Sequence, residues 1–175
     1  VEDVYHGHTF GAASVGNACS KAIEPCLPGF EKIPMPQFFG CKQHKDEIEC
    51  AAFSARELEK KVKTDRRIGA FFTEAMFSNV GAIIPHKVFW QAVQEIVYKY
   101  GLLLGIDEVA TGFGRTGKMF AYEHYNLKPD VVCLGKGFSG GYAPIGGTLI
   151  SEEVNTKANF SCYSTFGWHP LATEA

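Results

Sequence analysis

The chain has 175 residues, 46% of them hydrophobic and 21% charged, with 17 lysines and arginines against 19 aspartates and glutamates. That composition supplies enough apolar material for one packed domain, and a formal charge of −2 excludes an electrostatic footprint for nucleic acid or for an anionic membrane surface. The longest apolar runs, such as Gly101 to Ile106, fall far short of the roughly 20 residues that a membrane-spanning helix needs.

Residues 1–5 read as a short strand. Residues 6–50 are rich in glycine, proline, cysteine and aromatics and read as irregular structure with one strand near Glu31 to Ile33. Ser54 is followed three residues later by Glu57, a capping-box signature, and then by Leu58 and Val62 at helical spacing, which predicts a helix opening at Ser54. Ile68 to Thr73 is an apolar, β-prone run and predicts a buried strand. Lys87 to Tyr100 carries Val88, Phe89, Val93, Ile96 and Val97 at helical spacing, with Gly101 as the stop. Leu102 to Ile106, Val131 to Leu134 and Ile145 to Ile150 complete the predicted strands. Pro170 suits the first turn of a closing helix. The chain begins with Val1 rather than Met and stops soon after Pro170, so it reads as an internal segment of a longer protein.

The six cysteines are Cys19, Cys26, Cys41, Cys50, Cys133 and Cys162. None forms a C-x-x-C pair, and no cysteine–histidine grouping has zinc-ligand spacing, so no metal site is expected. Cys133, inside an apolar run, is expected to be a buried free thiol. No signal peptide is visible, which points to a reducing cytoplasm, although a targeting segment ahead of Val1 would be invisible.

Strands that alternate with helices predict an α/β fold with a mostly parallel sheet and flanking helices. Ligands of such sheets bind beyond the carboxyl ends of the strands. Glu74, Asp107 and Lys136 stand there, each just after a predicted strand. Lys136 lies between Gly135 and Gly137, which lets a ligand approach closely. This is not a nucleotide phosphate loop, because Lys136 precedes most of the glycines. A solvated turn lysine and a Schiff-base lysine are the two readings left. Asp107 bears on the choice. Pyridoxal phosphate withdraws electrons only while its ring nitrogen keeps a proton, and a carboxylate against that nitrogen holds it there. The competing roles for Asp107 are a helix cap or an ion pair with Arg115.

The run Asp107-Glu108-Val109-Ala110-Thr111-Gly112-Phe113-Gly114-Arg115-Thr116-Gly117 closely resembles the signature of the class III (subgroup II, omega-type) aminotransferases of fold type I. Lys136, 29 residues beyond Asp107, sits in a segment similar to that family's lysine segment. Tyr5-His6-Gly7-His8-Thr9, Tyr142-Ala143-Pro144-Ile145-Gly146 and Ser164-Thr165-Phe166-Gly167 extend the resemblance nearly from end to end.

The resemblance implies a transaminase that uses pyridoxal 5'-phosphate to move an amino group from an amine or amino acid to a keto acid. It implies that Lys136 carries the cofactor and shuttles the proton, Asp107 holds the pyridinium, and Tyr5 stacks on the ring. His6 is carried over as a further cofactor-binding residue, and Glu74 as a supporting one. Thr165 is expected to reach the cofactor phosphate of the neighbouring subunit, which implies a homodimer with shared sites. Residues 1–175 would form part of the large cofactor-binding domain. The phosphate cup would lie before Val1, and the small C-terminal domain, with an arginine for a substrate carboxylate, after Ala175. A chain with these bounds is expected to be inactive alone.

Three positions depart from the family pattern. Ala110 stands where many members have glutamine, Ala75 where proline usually follows the glutamate, and Trp168-His169 where glycine–asparagine is usual. An aminomutase, a decarboxylating transaminase or a racemase would share Lys136 and Asp107. A non-catalytic domain of the same fold is the alternative from another class, and the presence of both residues at this spacing speaks against it.

Overall fold

A computed structural model of the chain describes residues 1–16, 26–39, 41, 44–157, 164–165 and 167–175. Its centre is a four-stranded sheet of β1 (Ala70–Glu74), β2 (Leu103–Asp107), β3 (Val131–Leu134) and β4 (Gly147–Ile150), in that spatial order. β1, β2 and β3 run parallel, and β4 returns antiparallel on β3. Parallel neighbours need a crossover. Between β1 and β2 it is the helix Lys87–Tyr100, which has the predicted bounds. That helix buries Phe89, Trp90, Val93, Ile96 and Val97 on one face, and it stops where Gly101 turns left-handed at φ 65°. The central strand β2 carries Leu104 and Ile106, both fully buried.

The other helices among the described residues are α1 (Phe10–Val15), α2 (Glu47–Thr64), α4 (Glu152–Lys157) and α5 (Pro170–Glu174), with Lys87–Tyr100 as α3. α2 packs against α3 and buries Ala51, Ser54, Ala55, Leu58 and Val62. Pro170 occupies the first turn of α5, as expected. Among the described residues, no helix is long and apolar enough to cross a membrane.

Several sequence expectations are corrected here. Residues 1–5 form no strand: Asp3 takes a left-handed φ of 57°, which breaks extended pairing. Residues 31–33 form none either; a single bond, Glu2 N donating to Ile33 O at 2.9 Å, ties the two segments. Thr9 caps an unexpected helix, α1, by accepting from Ala12 N. Ser54 does not open α2. The cap is Asp46, whose carboxylate accepts from Glu49 N at 2.8 Å, while Glu49 accepts from Lys45 N. Ser54 is buried in mid-helix, where its hydroxyl donates to the Pro34 carbonyl. Cys133 is half-buried rather than buried, and Cys19 and Cys162 lie outside the described residues.

Candidate active site

The register of the sheet assembles the site. Glu74 pairs with Asp107, and Asp107 with Cys133, at the carboxyl ends of β1, β2 and β3. Two residues after β3 comes Lys136, in a 3-10 turn over Lys136–Ser139. Glu74 and Asp107 are buried, at 4% and 8% exposure. Both carboxylates avoid the cost of burial by accepting hydrogen bonds. Glu74 accepts from Ser78 Oγ at 2.7 Å and Ser78 N at 3.0 Å, and more weakly from Tyr5 N at 3.5 Å. Asp107 Oδ1 accepts from Val109 N at 2.9 Å, and Oδ2 lies 2.8 Å from His6 Nδ1. No helix follows Asp107, so it caps none; the bond from Val109 N closes a local turn, and two partners fill only about half of a carboxylate's lone-pair positions.

His6 is held in turn. Its ring meets Phe72 edge to face at 4.9 Å between centroids. Phe72 lies across Gly105, its register partner on β2, so closely that a Cβ at Gly105 would fall 2.2 Å from the Phe72 ring. Gly105, Phe72 and His6 thus form a packed path that ends on the Asp107 carboxylate. His6 Nε2 is buried without a hydrogen-bond partner.

The lysine turn is interlocked with the segment after Asp107. Gly135 and Gly137 abut Val109 and Phe113, where added Cβ atoms would come within 3.2 and 3.3 Å. Phe113 stacks on Phe138 at 5.4 Å. Lys136 itself takes a left-handed φ of 45°, a strained conformation for a side-chain-bearing residue. Its side chain is exposed.

Glu108, to which sequence reasoning gave no role, is fully buried and builds the shelf beneath. It accepts from the Thr111 hydroxyl and from Tyr122 N at 2.9 Å, and its own N–H donates to the Cys133 carbonyl at 2.9 Å. The acidic pair in the signature therefore divides its work: Asp107 lines the cleft and Glu108 fixes the loop. Burial, and secondarily the Asp107 carboxylate, push the Cys133 thiol up, partly offset by a hydrogen bond with Thr148.

Tyr5, His6, Glu74, Asp107, Ala110 and Lys136 line one cleft of about 290 Å³. Five of the six expected site residues are thus brought together. The sixth, Thr165, is exposed and does not line this cleft. Tyr5 reaches into its surroundings through its hydroxyl, 2.7 Å from His8 Nδ1. The arrangement suits a flat, cationic heteroaromatic ring with an electrophilic carbon: a part-satisfied carboxylate for a ring N–H, an aromatic side chain, and a primary amine between glycines.

The comparisons agree with this chemistry. The model of the aminotransferase class-III family matches residues 1–175. The chain is 36% identical over 180 residues to a taurine–pyruvate aminotransferase of Bilophila wadsworthia, covering 93% of this chain and 38% of that protein. It is 32% identical over 176 residues to a putrescine–pyruvate aminotransferase of Pseudomonas aeruginosa, covering 96% of this chain and 39% of that protein. Among solved structures, a thermostable (S)-enantioselective omega-transaminase from Thermomicrobium roseum superposes with a TM-score of 0.88 at 33% identity, over 98% of this chain and 40% of that one. The omega transaminase of Pseudomonas jessenii in complex with PMP gives 0.83 at 33% identity, over 88% and 35%. The chain therefore spans about two fifths of the length of these relatives. A match over every residue, with the fold to go with it, makes this chain a member of the class-III aminotransferase family.

Proposed function

We propose that the protein carrying this chain is a pyridoxal-phosphate-dependent transaminase, which moves an amino group from an amine or amino acid to a keto acid. The observation that carries the reading is the single cleft in which Lys136, Asp107, His6 and Tyr5 meet. The residues fit the cofactor. Lys136 would carry it covalently, Asp107 would accept from its ring N–H, and Tyr5 would cover a ring face. When bound, pyridoxal phosphate supplies a pyridinium that delocalises the electron pair left as the substrate Cα loses its proton.

The chain's own groups do the rest. The Lys136 amine would serve as the acid–base group that takes the proton from the substrate Cα and hands it on. Asp107 keeps the proton on the ring nitrogen, and its charge is held in place by Val109 N and His6. Glu74 fixes the backbone at Tyr5 and the turn at Ser78, a positioning role. Ala110, which also lines the cleft, has no side-chain group that would hydrogen-bond the cofactor.

The chain is read as part of the large cofactor-binding domain. Thr165 is assigned to the phosphate in the neighbouring subunit's site, in a homodimer. This assignment rests on the resemblance of Ser164-Thr165-Phe166-Gly167 to the family's segment. Both named relatives use pyruvate, which supports a small keto acid as acceptor. The free thiols of Cys41, Cys50 and Cys133 suit a reducing cytoplasm.

The test is direct. The full-length protein, supplied with pyridoxal phosphate, pyruvate and a panel of amines, should form alanine in step with loss of the amine. Lys136→Ala should lower the rate more than ~10⁴-fold, the upper end of what one positioned acid–base group contributes. Alanine formation by Lys136→Ala at the parent rate would overturn the reading.

A further inference from the structure

A second cluster of reactive side chains lies where the irregular segment meets α2. Cys41, His44 and Cys50 each offer one ligand atom, and these atoms all lie within 4.8 Å of one another. Each is placed by its own local structure. Cys41 closes a turn in which its N–H donates to the Phe38 carbonyl at 2.8 Å. Cys50 stands in the first turn of α2, 4% exposed, and its thiol donates to the Gln37 carbonyl at 2.8 Å. Phe53, one helical turn further on and so on the same face, lies against the His44 ring at 4.7 Å between centroids. One helix therefore fixes one sulfur and steadies the imidazole beside it.

We propose that Cys41, His44 and Cys50 form a binding site for one thiophilic divalent cation of the zinc class. Two sulfurs and one imidazole nitrogen are the donors such a cation selects. Tetrahedral bonds of about 2.3 Å to sulfur and about 2.0 Å to nitrogen put ligand atoms ~3.5–3.8 Å apart. The cluster needs to contract by only about an ångström, which side-chain rotation supplies. Three protein ligands leave a fourth position for water. The adjoining cleft of about 550 Å³, which Cys41, His44 and Cys50 line, has room for it.

Binding balances as one dication taken up and two thiol protons released, leaving two metal-bound thiolates. Because ligands must lose their protons to bind, the affinity falls as the pH falls. The site shares no lining residue with the Lys136 cleft. A cation held there would tie the segment before α2 to the helix.

The probe is Co²⁺, displaced by Zn²⁺ in competition with a chromophoric chelator, on the reduced and metal-stripped full-length protein. One metal per chain and a thiolate-to-cobalt charge-transfer band are expected. Cys41→Ser, His44→Ala and Cys50→Ser should each weaken binding by at least ~10–100-fold, the loss seen when even an outer-sphere partner is removed. His44→Ala should keep the thiolate band, and Cys26→Ser, at an exposed thiol, should bind as the parent does. Cys41 and His44 are less buried than Cys50, so those two variants carry the test if Cys50→Ser fails to fold. Absence of the band in the parent would overturn the proposal. So would equal affinity in Cys41→Ser and His44→Ala, or recovery of Cys41 and Cys50 as a disulfide-linked pair whose reduced form binds no metal.

Discussion

Asp107 is assigned to its own subunit's cofactor and Thr165 to the partner's, and the chain surrounds the two very differently. Asp107 ends the central strand, is buried, and has each carboxylate oxygen engaged by a named partner. Beneath it Glu108 and Thr111 are fully buried, and beside it the lysine turn locks into Val109 and Phe113. Thr165 is exposed, and Trp168 and Leu171 after it are 91% and 78% exposed. One half of the proposed site is completed within the chain. The other presents its groups outward, and the proposed dimer would set them against a partner subunit's site. On the proposed reading the buried half stays with its own subunit and the exposed half is lent to the partner.

The largest effect should come from the self-contained half. Asp107→Asn keeps the shape of the side chain and can still accept through its carbonyl, but it cannot hold a proton on the ring nitrogen. Turnover should fall by at least ~10²-fold, the size typical when one preorganised charge contact to a reacting group is removed. Far-ultraviolet circular dichroism should be unchanged. Full turnover by the Asn variant would remove Asp107 from the ring nitrogen.

A smaller effect is expected from the lent half. Thr165→Ala deletes one hydrogen bond to a charged phosphate, worth roughly 1.5–3 kcal/mol, or about a ten- to hundred-fold weaker hold on the cofactor. The comparison itself is tested by mixing Lys136→Ala and Thr165→Ala subunits and reassociating them. In mixed dimers the two lesions should fall in one site and leave the other intact, so activity should exceed that of either variant alone. No recovery, with heterodimers confirmed by mass, would return Thr165 to its own subunit's site.

The smallest effect concerns the packed path behind Asp107. Gly105→Ala would press a methyl group into the Phe72 ring and, through it, on His6. Overpacking of this kind costs about 1–3 kcal/mol. The melting temperature should fall while the cofactor still binds. An unchanged melting temperature would show that Phe72 moves freely and does not brace His6.

What was legible in the sequence follows the same division. The helix Lys87–Tyr100 and the strand Val131–Leu134 were readable to the residue, because each buries a periodic apolar face or run and ends on an unambiguous signal. Glu74, Asp107 and Lys136 were readable as a group, because parallel strands carry their last residues to one edge. Ser54 misled for a physical reason: a hydroxyl three residues before a glutamate looks like a cap, but here it satisfies the Pro34 carbonyl from inside a helix. The cap chemistry was present eight residues upstream, at Asp46 and Glu49, within a stretch whose glycines and prolines suggested no helix. The Cys41, His44 and Cys50 cluster depends on the same helix start, since it forms only because α2 begins at Glu47 and carries Cys50 toward the turn at Cys41. The role of Glu108 was hidden too, because strand-end position does not distinguish the carboxylate that lines a cleft from the one beneath it.

The central claim is that Lys136 is the residue that carries pyridoxal phosphate. Borohydride reduction of the full-length protein with cofactor bound, followed by peptide mass mapping, reads this without reference to rate. The pyridoxyl mass should fall on the peptide that contains Gly135-Lys136-Gly137 and should vanish from Lys136→Ala. A label on any other lysine, or an unlabelled Lys136 in a protein that retains the cofactor, would contradict the account.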